Sequence, residues 1–505
     1  MVDDRTPVLI GVAQRSVHVE ADEVGRVGEP ALMTAAALRD AEVDSGGRDV
    51  LRRATGLWVV DPLCWRYRDP TEPVASALGI DPAHRLRSGV GGETPLTMVN
   101  RAAEAIAAGE HDIVLVAGAE LMRSRKLARS RDISLGWTRQ PDSTPEPEML
   151  AAGSPFVSAD PVHPAERAVG LKPPVSYYPL FENALRAKTR RTIEEHTAAL
   201  GRLWSRFSEV AATNPDAWRP TVYSPEDITT VGPDNRMIGF PYPKLMNADM
   251  GVDMAAAVIV SSVGAARAAG VPPERWVYLW SGASSHDHWH VGERVDLAES
   301  PSIAANGRAV LASAGVAVED VAHLDLYSCF PSAVQVGASA LGLPMDDPDR
   351  PLTVTGGLTF AGGPGSNYVT HSLATMVGRL RTEPDTTGLV TGNGWFLTKH
   401  SMALLSARAP TAPFRYLDPQ PEVDALPKVE IALSFHGPAT LETYTVLHAR
   451  DGGPEFAVLA CRTPDGHRVW ARSESTDLLP ELMTTELIGT KVTVDSSGPH
   501  PVVTA

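Results

Sequence analysis

The strongest constraint on the fold of this chain is an internal repetition of α/β elements at a nearly constant offset. A buried strand begins at Pro7, and a similar strand begins at Trp276, 269 residues later (276 minus 7). Glycine-rich turns that contain Gly92 and Gly363 lie 271 residues apart (363 minus 92). Each turn precedes a helical pattern and then a strand. Because order and offset agree, the sequence indicates a duplicated α/β core.

Regions of different composition lie between the two halves and after the second one. The insertion between them is rich in loops and carries one predicted amphipathic helix, Ala187–Ala212. A proline-rich segment follows the second half, and the tail beyond it contains four or five short strands and one helix, which favours a small OB-type barrel. The predicted divisions are an N-terminal half (1–120 and 247–275), a loop domain (121–246), a C-terminal half (276–409), a linker (410–427) and an OB-like β-barrel (428–505).

Charge and cysteine content exclude several classes of protein. The 505 residues carry a formal net charge of −16, which disfavours nucleic acid and anionic membranes as partners. The N-terminus lacks the apolar core of a signal peptide, and no apolar run is long enough to span a membrane. Three cysteines without CxxC spacing cannot form a disulfide framework and argue against structural zinc. We therefore expect a reduced, cytoplasmic protein.

Four sequence blocks occur in an order and spacing that is specific when they are taken together. They are Ile106–Glu120 (IAAGEHDIVLVAGAE), Asp325–Phe330 (DLYSCF), Gly356–Gly365 (GGLTFAGGPG) and Gly392–Trp395 (GNGW). The blocks resemble those of the thiolase superfamily, above all the sterol-carrier-protein-type thiolases and the thiolase-like proteins of mycobacteria. The resemblance covers about Thr6–Ala409. It implies a thiolase-like five-layer α-β-α-β-α core with an inserted loop domain, here followed by the barrel.

The resemblance also implies a set of catalytic side chains that this chain lacks. A thiolase uses a cysteine at a helix N-terminus, activated by the helix dipole and a histidine. The nucleophile position corresponds to Gly92, and the histidine of the G-H-P block corresponds to Gly363. Tyr327 stands where the H-D-C-F block has its histidine, and Gly392 and Asn393 stand in the C-x-G segment. We therefore expect no conventional thiolase or acetyltransferase activity.

Binding of coenzyme A or an acyl-CoA is the function that such a site retains. Glycine-rich turns at helix N-termini present backbone N–H groups to a carbonyl or a phosphate, which makes Gly92, Gly363, Gly392 and Asn393 candidate binding residues. Basic side chains of the insertion suit the phosphates of coenzyme A, although they also suit a solvated helix face. The candidates are Arg123, Arg125, Lys126, Arg186 and Arg190. No covalently bound cofactor is expected.

Two other functions remain open. Some thiolase-fold aldolases of steroid side-chain breakdown also lack the cysteine, and they are thought to use tyrosines and an OB-fold partner. By this resemblance, Tyr327 is a candidate catalytic residue of a retro-aldolase that acts on a β-hydroxyacyl-CoA. In the third hypothesis, the barrel makes the chain a scaffold for another acyl-CoA enzyme.

Metal binding and oligomeric state are less clearly marked. His286, His288 and His290 alternate along the chain, as metal ligands on one strand face would. No acidic or cysteine ligand accompanies them, so no metal site is predicted. Thiolases usually form dimers through the edge of the core sheet, whereas the extra domain makes a monomer possible, so both states stay open at this point.

Overall fold

The strands of the protein form one mixed sheet and one closed barrel, in a computed structural model that describes residues 2–20, 23–24, 28–150 and 160–504. In chain order the strands are β1 (Pro7–Ser16), β2 (Gly56–Val59), β3 (His84–Arg87), β4 (Ile113–Leu121), β5 (Glu148–Met149), β6 (Met237–Gly239), β7 (Tyr242–Pro243), β8 (Asp253–Ser262), β9 (Val277–His286), β10 (His323–Asp325), β11 (Thr387–Gly394), β12 (Lys399–Ser406), β13 (Tyr416–Leu417), β14 (Ile431–Ala432), β15 (His436–His448), β16 (Pro454–Arg462), β17 (Arg468–Ser473), β18 (Lys491–Asp495) and β19 (Val502–Thr504).

The α-helices of the described residues flank and connect these strands. In chain order they are α1 (Pro30–Ser45), α2 (Thr71–Leu78), α3 (Thr94–Ala108), α4 (Met122–Ser130), α5 (Pro164–Ala168), α6 (Pro174–Thr189), α7 (Ile193–Thr213), α8 (Pro225–Thr229), α9 (Val263–Ala268), α10 (Pro301–Ala314), α11 (Pro331–Leu341), α12 (Gly357–Phe360), α13 (Tyr368–Thr382), α14 (Gln420–Asp424) and α15 (Leu478–Thr484).

The core sheet contains both halves of the duplication. Its strand order is β10-β11-β12-β9-β1-β8-β4-β2-β3-β5, with β13 paired to β9. The first strands of the two halves, β1 and β9, pair antiparallel at Val8–Tyr278 and Leu9–Val277. Helices α3 and α13 contact strands of both half-sheets, whereas α1 packs outside the first and α10 outside the second. The predicted duplicated thiolase-like fold is confirmed.

Helix α3 shows how local sequence produces this burial. Proline lies in its first turn, and Gly109 ends it in the left-handed conformation at φ 84°. Leu96, Val99 and Ala103 recur at helical spacing and are fully buried. Buried side chains surround most of the helix, as its position between two sheet layers requires.

The prediction of a single helix over Ala187–Ala212 is wrong. The structure has two helices there, α6 and α7, with Arg190 between them in the left-handed conformation at φ 54°. Thr192 caps α7, and its side chain and that of Glu195 form a reciprocal capping box. Because the amphipathic pattern continues across the break, hydrophobic periodicity alone did not reveal it.

The C-terminal barrel closes through five strands, which confirms the OB-type prediction. Strands β15, β16, β17, β19 and β18 pair in that order, and β18 pairs back with β15. Only the β17–β19 pairing is parallel. Helix α15 lies between β17 and β18 in the chain, and buried Leu441, Leu459 and Val469 lie inside the barrel. The strand β19 has too few residues to show a sequence pattern.

The barrel is fastened to the rest of the molecule by a buried arginine. Arg468 is fully buried and forms a two-pronged ion pair with Glu442, at 2.8 Å through Nε and 2.6 Å through a terminal nitrogen. Its other terminal nitrogen donates to the carbonyl oxygens of Gly292 and Arg294, both at 2.7 Å. The predicted linker, 410–427, also carries β13, which adds to the core sheet, so this segment contributes structure to the core.

Replacement of Arg468 by methionine should destabilise the protein by about 3 kcal/mol, because it leaves only Arg462 to pair with Glu442 and removes the donor of the Gly292 and Arg294 carbonyls. Chemical denaturation measures this loss. Arg308→Met is the control: Arg308 and Glu422 are both more than half exposed, so that variant should lose at most about 1 kcal/mol. Equal losses in the two variants would contradict a role for Arg468 in fastening the barrel.

His371 on α13 provides a test of the buried middle layer. Its Nδ1 lies 2.9 Å from Gln14 Oε1, and burial lowers the pKa of His371 to about 3. The folded pKa lies below the unfolded value of about 6.5, so its contribution to stability is complete above pH 6.5 and is lost as pH falls toward 3. The stability advantage over His371→Gln should shrink by about 1.4 kcal/mol per pH unit below 6. Urea denaturation at pH 7, 6 and 5 measures it, and a constant difference would contradict the prediction.

Candidate functional site

The two glycine-rich turns meet at the N-terminal ends of the central helices. The backbone N–H of Gly91 donates to Ser366 Oγ at 3.1 Å, which joins the turn before α3 to the turn before α13. Strand β11 approaches the same point so closely that a Cβ on Gly392 would stand 2.9 Å from the Cα of Glu93. Gly363 lies in the second turn, but its N–H donates to the Asp249 carbonyl at 2.9 Å.

Tyr327 occupies the space in front of Gly92. A Cβ on Gly92 would overlap the Tyr327 hydroxyl and would lie 2.6 Å from its Cζ and 2.5 Å from the Asn393 carbonyl oxygen. The structure thus brings together three of the predicted site residues and explains why the first is glycine. No side chain of any size fits at position 92 while Tyr327 keeps this position.

The buried environment determines the chemistry available to Tyr327. Burial raises the pKa of Tyr327 well above 10, and the neighbouring Cys329, Tyr368 and Glu93 raise it further. Its ring lies edge-on to Tyr368, with centroids 5.5 Å apart. With Asn393 it borders a void of only about 20 Å³. The Tyr327 phenol is therefore a neutral hydrogen-bond donor at physiological pH.

The polar contacts of Asn393 are directed to the protein interior. Its Nδ2 donates to Tyr178 Oη at 2.9 Å, and Cys329 Sγ lies 3.9 Å from the same nitrogen. Burial raises the pKa of Cys329 to about 12, so its sulfur is a protonated thiol. Cys64 and Cys461 are also free and buried, and burial raises the pKa of each.

The predicted basic residues fall in two separate places. Arg123, Arg125 and Lys126 lie on α4, where the first stacks over Trp218 at 6.0 Å and the other two are exposed. Arg186, in contrast, is 1% exposed.

The guanidinium of Arg186 is engaged by the protein itself. It donates to Asn183 Oδ1 at 3.2 Å and to Tyr444 Oη at 3.1 Å, and it forms an ion pair with Glu486. These contacts join the insertion to the barrel and leave Arg186 no face for a phosphate. Arg190 is exposed at a separate cleft of about 490 Å³ between the same two parts.

A cavity of about 670 Å³ opens at the N-terminus of α3, between the insertion, the core and the segment after Pro410. This volume is in the range of small-molecule sites. The side chains that line it include Met149 and Leu150 of the insertion; Glu93, Thr97 and Arg101 at α3; Trp395, Lys399 and His400 around β12; and Tyr416 of β13. Neither predicted basic cluster lines it.

A buried ion pair that sequence reasoning missed borders this cavity. Lys399 Nζ lies 2.6 Å from Glu93 Oε1, and the two side chains are 3% and 8% exposed. The same nitrogen donates to the Val90 carbonyl at 3.2 Å and lies 5.3 Å from the centre of the Trp395 ring. The available sequence signals were weak: a lysine at the start of a buried strand, and a glutamate directly after Gly92.

A second buried pair lies beside the first. His400 Nε2 is 3.2 Å from Asp287 Oδ2, and Ser300 hydrogen-bonds the same carboxylate. Burial opposes ionisation of Asp287, but His400, Arg294 and the Ser300 hydroxyl together outweigh it, so the pKa of Asp287 is lowered. Within the described ranges, no three potential ligands converge as a metal site would require. His288, one of the alternating histidines, bonds the carbonyl of Pro427.

Comparison with known proteins relates these features to a family. A family model described as "Thiolase-like protein type 1 additional C-terminal domain" matches residues 418–499. A monomeric SCP2-thiolase-like protein type 1 from Mycobacterium smegmatis is 32% identical, with a TM-score of 0.83 and all of both chains covered. No curated protein sequence matches at a significant level. No helix of the described chain is both long and apolar enough to cross a membrane.

More distant structures share the fold alone. An aldolase named Ltp2-ChsH2(DUF35) is 20% identical with a TM-score of 0.60, and the dimeric peroxisomal thiolase of Saccharomyces cerevisiae is 12% identical with a TM-score of 0.55. Each match covers 80% of this chain and 98% of the other. The fold therefore defines a thiolase-like protein. More narrowly, the chain belongs to the SCP2-thiolase-like protein type 1 family, as the sequence blocks predicted.

Replacement of Gly92 by alanine should lower the free energy of unfolding by about 1–3 kcal/mol, because the new methyl group overlaps Tyr327. Thermal and chemical denaturation measure the loss. Gly136→Ala is the matched control, since a Cβ there meets nothing within 4 Å. A Gly92→Ala protein as stable as the control would show that Tyr327 does not hold this position.

Proposed function

We propose that this protein binds coenzyme A or an acyl-CoA of lipid or sterol metabolism in the cytoplasm, and that it has no thiolase activity. The lack of thiolase activity rests on one observation: the Tyr327 hydroxyl fills the place that a side chain at position 92 would need. A thiolase transfers an acyl group to that side chain, and glycine offers no nucleophile. The protonated, buried Cys329 thiol does not replace it.

The position and size of the large cavity support the binding of coenzyme A or an acyl-CoA. The cavity lies between the insertion and the core, where the resemblance to thiolases implies the pantetheine channel. The N-terminus of α3 borders it and favours a polarised thioester carbonyl or a phosphate. Arg101 lines the same cavity and supplies a guanidinium for phosphate. These observations support Arg101 as the proposed phosphate-binding residue, whereas Arg123, Arg125, Lys126 and Arg190 lie elsewhere.

We also propose that the protein acts as a monomer. Strand β5 of the insertion pairs with β3 at Leu86–Glu148 and Arg87–Met149. This pairing covers part of the outer edge of the core sheet, the edge through which a second copy would extend the sheet.

The two alternative functions have weaker support. A retro-aldolase that uses Tyr327 as a base needs a lowered pKa, whereas burial raises the pKa of this phenol. A scaffold needs a barrel surface that is free for a partner. Arg468 and Arg186, however, bind two faces of the barrel to the rest of the protein.

Calorimetric titration of coenzyme A, acetyl-CoA and longer acyl-CoAs tests the proposal. We expect saturable binding, with no transfer of an acetyl group between acetyl-CoA molecules when the mixtures are analysed for products. Thr97→Trp, which fills the cavity from α3, should weaken binding at least about tenfold, the equivalent of 1.4 kcal/mol. Thr213→Trp, on an exposed helix end, should leave it unchanged. Absence of binding by the wild-type protein, or acetoacetyl-CoA among the products, would contradict the proposal.

A further inference from the structure

The carboxylate of Glu93 is only half satisfied at the edge of the large cavity. Lys399 binds Oε1 at 2.6 Å, but Oε2 is buried and finds no hydrogen-bond partner among the described residues. The residue as a whole is 6% exposed and lines the cavity. An unpartnered buried carboxylate oxygen is costly, and such groups in folded proteins call for a functional explanation.

Three glycines form the space in which this carboxylate lies. A Cβ on Gly91 or on Gly394 would overlap Glu93 Oε2, and a Cβ on Gly392 would stand 2.9 Å from the Glu93 Cα. None of these three glycines has a positive φ, so a left-handed backbone conformation is not the reason for glycine at these positions. The glycines therefore provide room for the Glu93 side chain and not a turn conformation.

The turn that presents Lys399 is strained. Trp395 and Leu397 adopt the left-handed conformation at φ 57° and 51°, although neither is glycine or asparagine. Such strain persists where surrounding structure enforces it, and it is concentrated at functional sites. In this turn, the Trp395 ring lies over the Lys399 ammonium, with 5.3 Å between the nitrogen and the ring centre. Both side chains line the cavity.

We propose that the Glu93–Lys399 pair is a proton-transfer centre that acts on the α-carbon of an acyl-CoA bound in the cavity. This inference rests on the proposed function. The Glu93 carboxylate takes the α-proton, the C–H electron pair forms the carbon–carbon double bond of an enolate, and the thioester oxygen receives the negative charge. A Lys399 N–H then donates to that oxygen, in the field of the α3 N-terminus. The protonated Glu93 exchanges its proton with water, and return of a proton from Glu93 to carbon restores the acyl-CoA.

The pair supplies both requirements of this reaction without another reactant. Glu93 is a base that holds and returns one proton, and Lys399 is a cation that balances the charge on the enolate. Because the two residues neutralise each other, the site carries no net charge before the proton moves. The Tyr327 hydroxyl lies in front of Gly92, the residue that precedes Glu93, and it plays no part in the step.

Exchange of α-hydrogen for deuterium tests the proposal directly. The wild-type protein is incubated with acetyl-CoA in D₂O, and loss of the methyl proton signal is followed by NMR against a buffer blank. We expect catalysed exchange. Glu93→Gln should slow it by about 100-fold or more, the usual contribution of a general base. Glu110→Gln, a matched change at an exposed position just beyond α3, should exchange at the wild-type rate.

Further variants separate chemistry from folding. Glu93→Gln alone leaves Lys399 buried without a carboxylate to balance its charge, which is destabilising. The double variant Glu93→Gln/Lys399→Met removes both charges, so it should stay folded and bind acetyl-CoA by calorimetry without catalysing exchange. Lys399→Arg keeps the cation and should retain part of the exchange that Lys399→Met loses.

The outcomes distinguish this inference from the proposed function. Binding with exchange that disappears in the Glu93 variants supports both. Binding without exchange in the wild-type protein overturns the proton-transfer centre and leaves acyl-CoA binding intact. Exchange that persists in Glu93→Gln at the wild-type rate overturns Glu93 as the base. Absence of acetyl-CoA binding overturns the proposed function and this inference with it.

Discussion

The close approach of strand β11 to the N-terminus of α3 is the constraint on which the rest of the site depends. Two central helices are buried between half-sheets, so the turns that lead into them are pressed against strands from the opposite half. Glycines at 91, 92, 392 and 394 make this contact possible, because a Cβ at any of them would overlap or crowd a neighbouring atom. Both the position of Tyr327 and that of Glu93 follow from this packing.

Gly92 and Tyr327 depend on each other physically. Glycine at position 92 leaves a space, and the Tyr327 ring fills it. A side chain at position 92 would produce a clash and a smaller residue at position 327 a cavity, both of which destabilise a close-packed interior. The glycine at position 92 and the tyrosine at position 327 are therefore linked by packing. Beside them, Glu93 and Lys399 place charged groups on the wall of the large cavity.

The insertion and the barrel support the core through buried arginines. Arg186 joins α6 to Tyr444 of the barrel, and Arg468 joins the barrel to the backbone of the C-terminal half. Guanidinium groups suit this use, since they satisfy several acceptors at once with a fixed geometry. An arginine-rich stretch of the insertion thus has a structural function in part, which a count of basic residues does not reveal.

The sequence by itself determined the architecture, because that information is local and repeated. The constant offset between the halves predicted the duplication, Gly109 marked the end of α3, and short strands with turns predicted the barrel. It did not determine the break at Arg190, where a capping box interrupts a continuous apolar pattern. Only the tertiary structure decided the pairing of Glu93 with Lys399, 306 residues apart (399 minus 93), and the burial of Arg186. Contacts across such distances leave no periodic signal, because they depend on how separate layers pack.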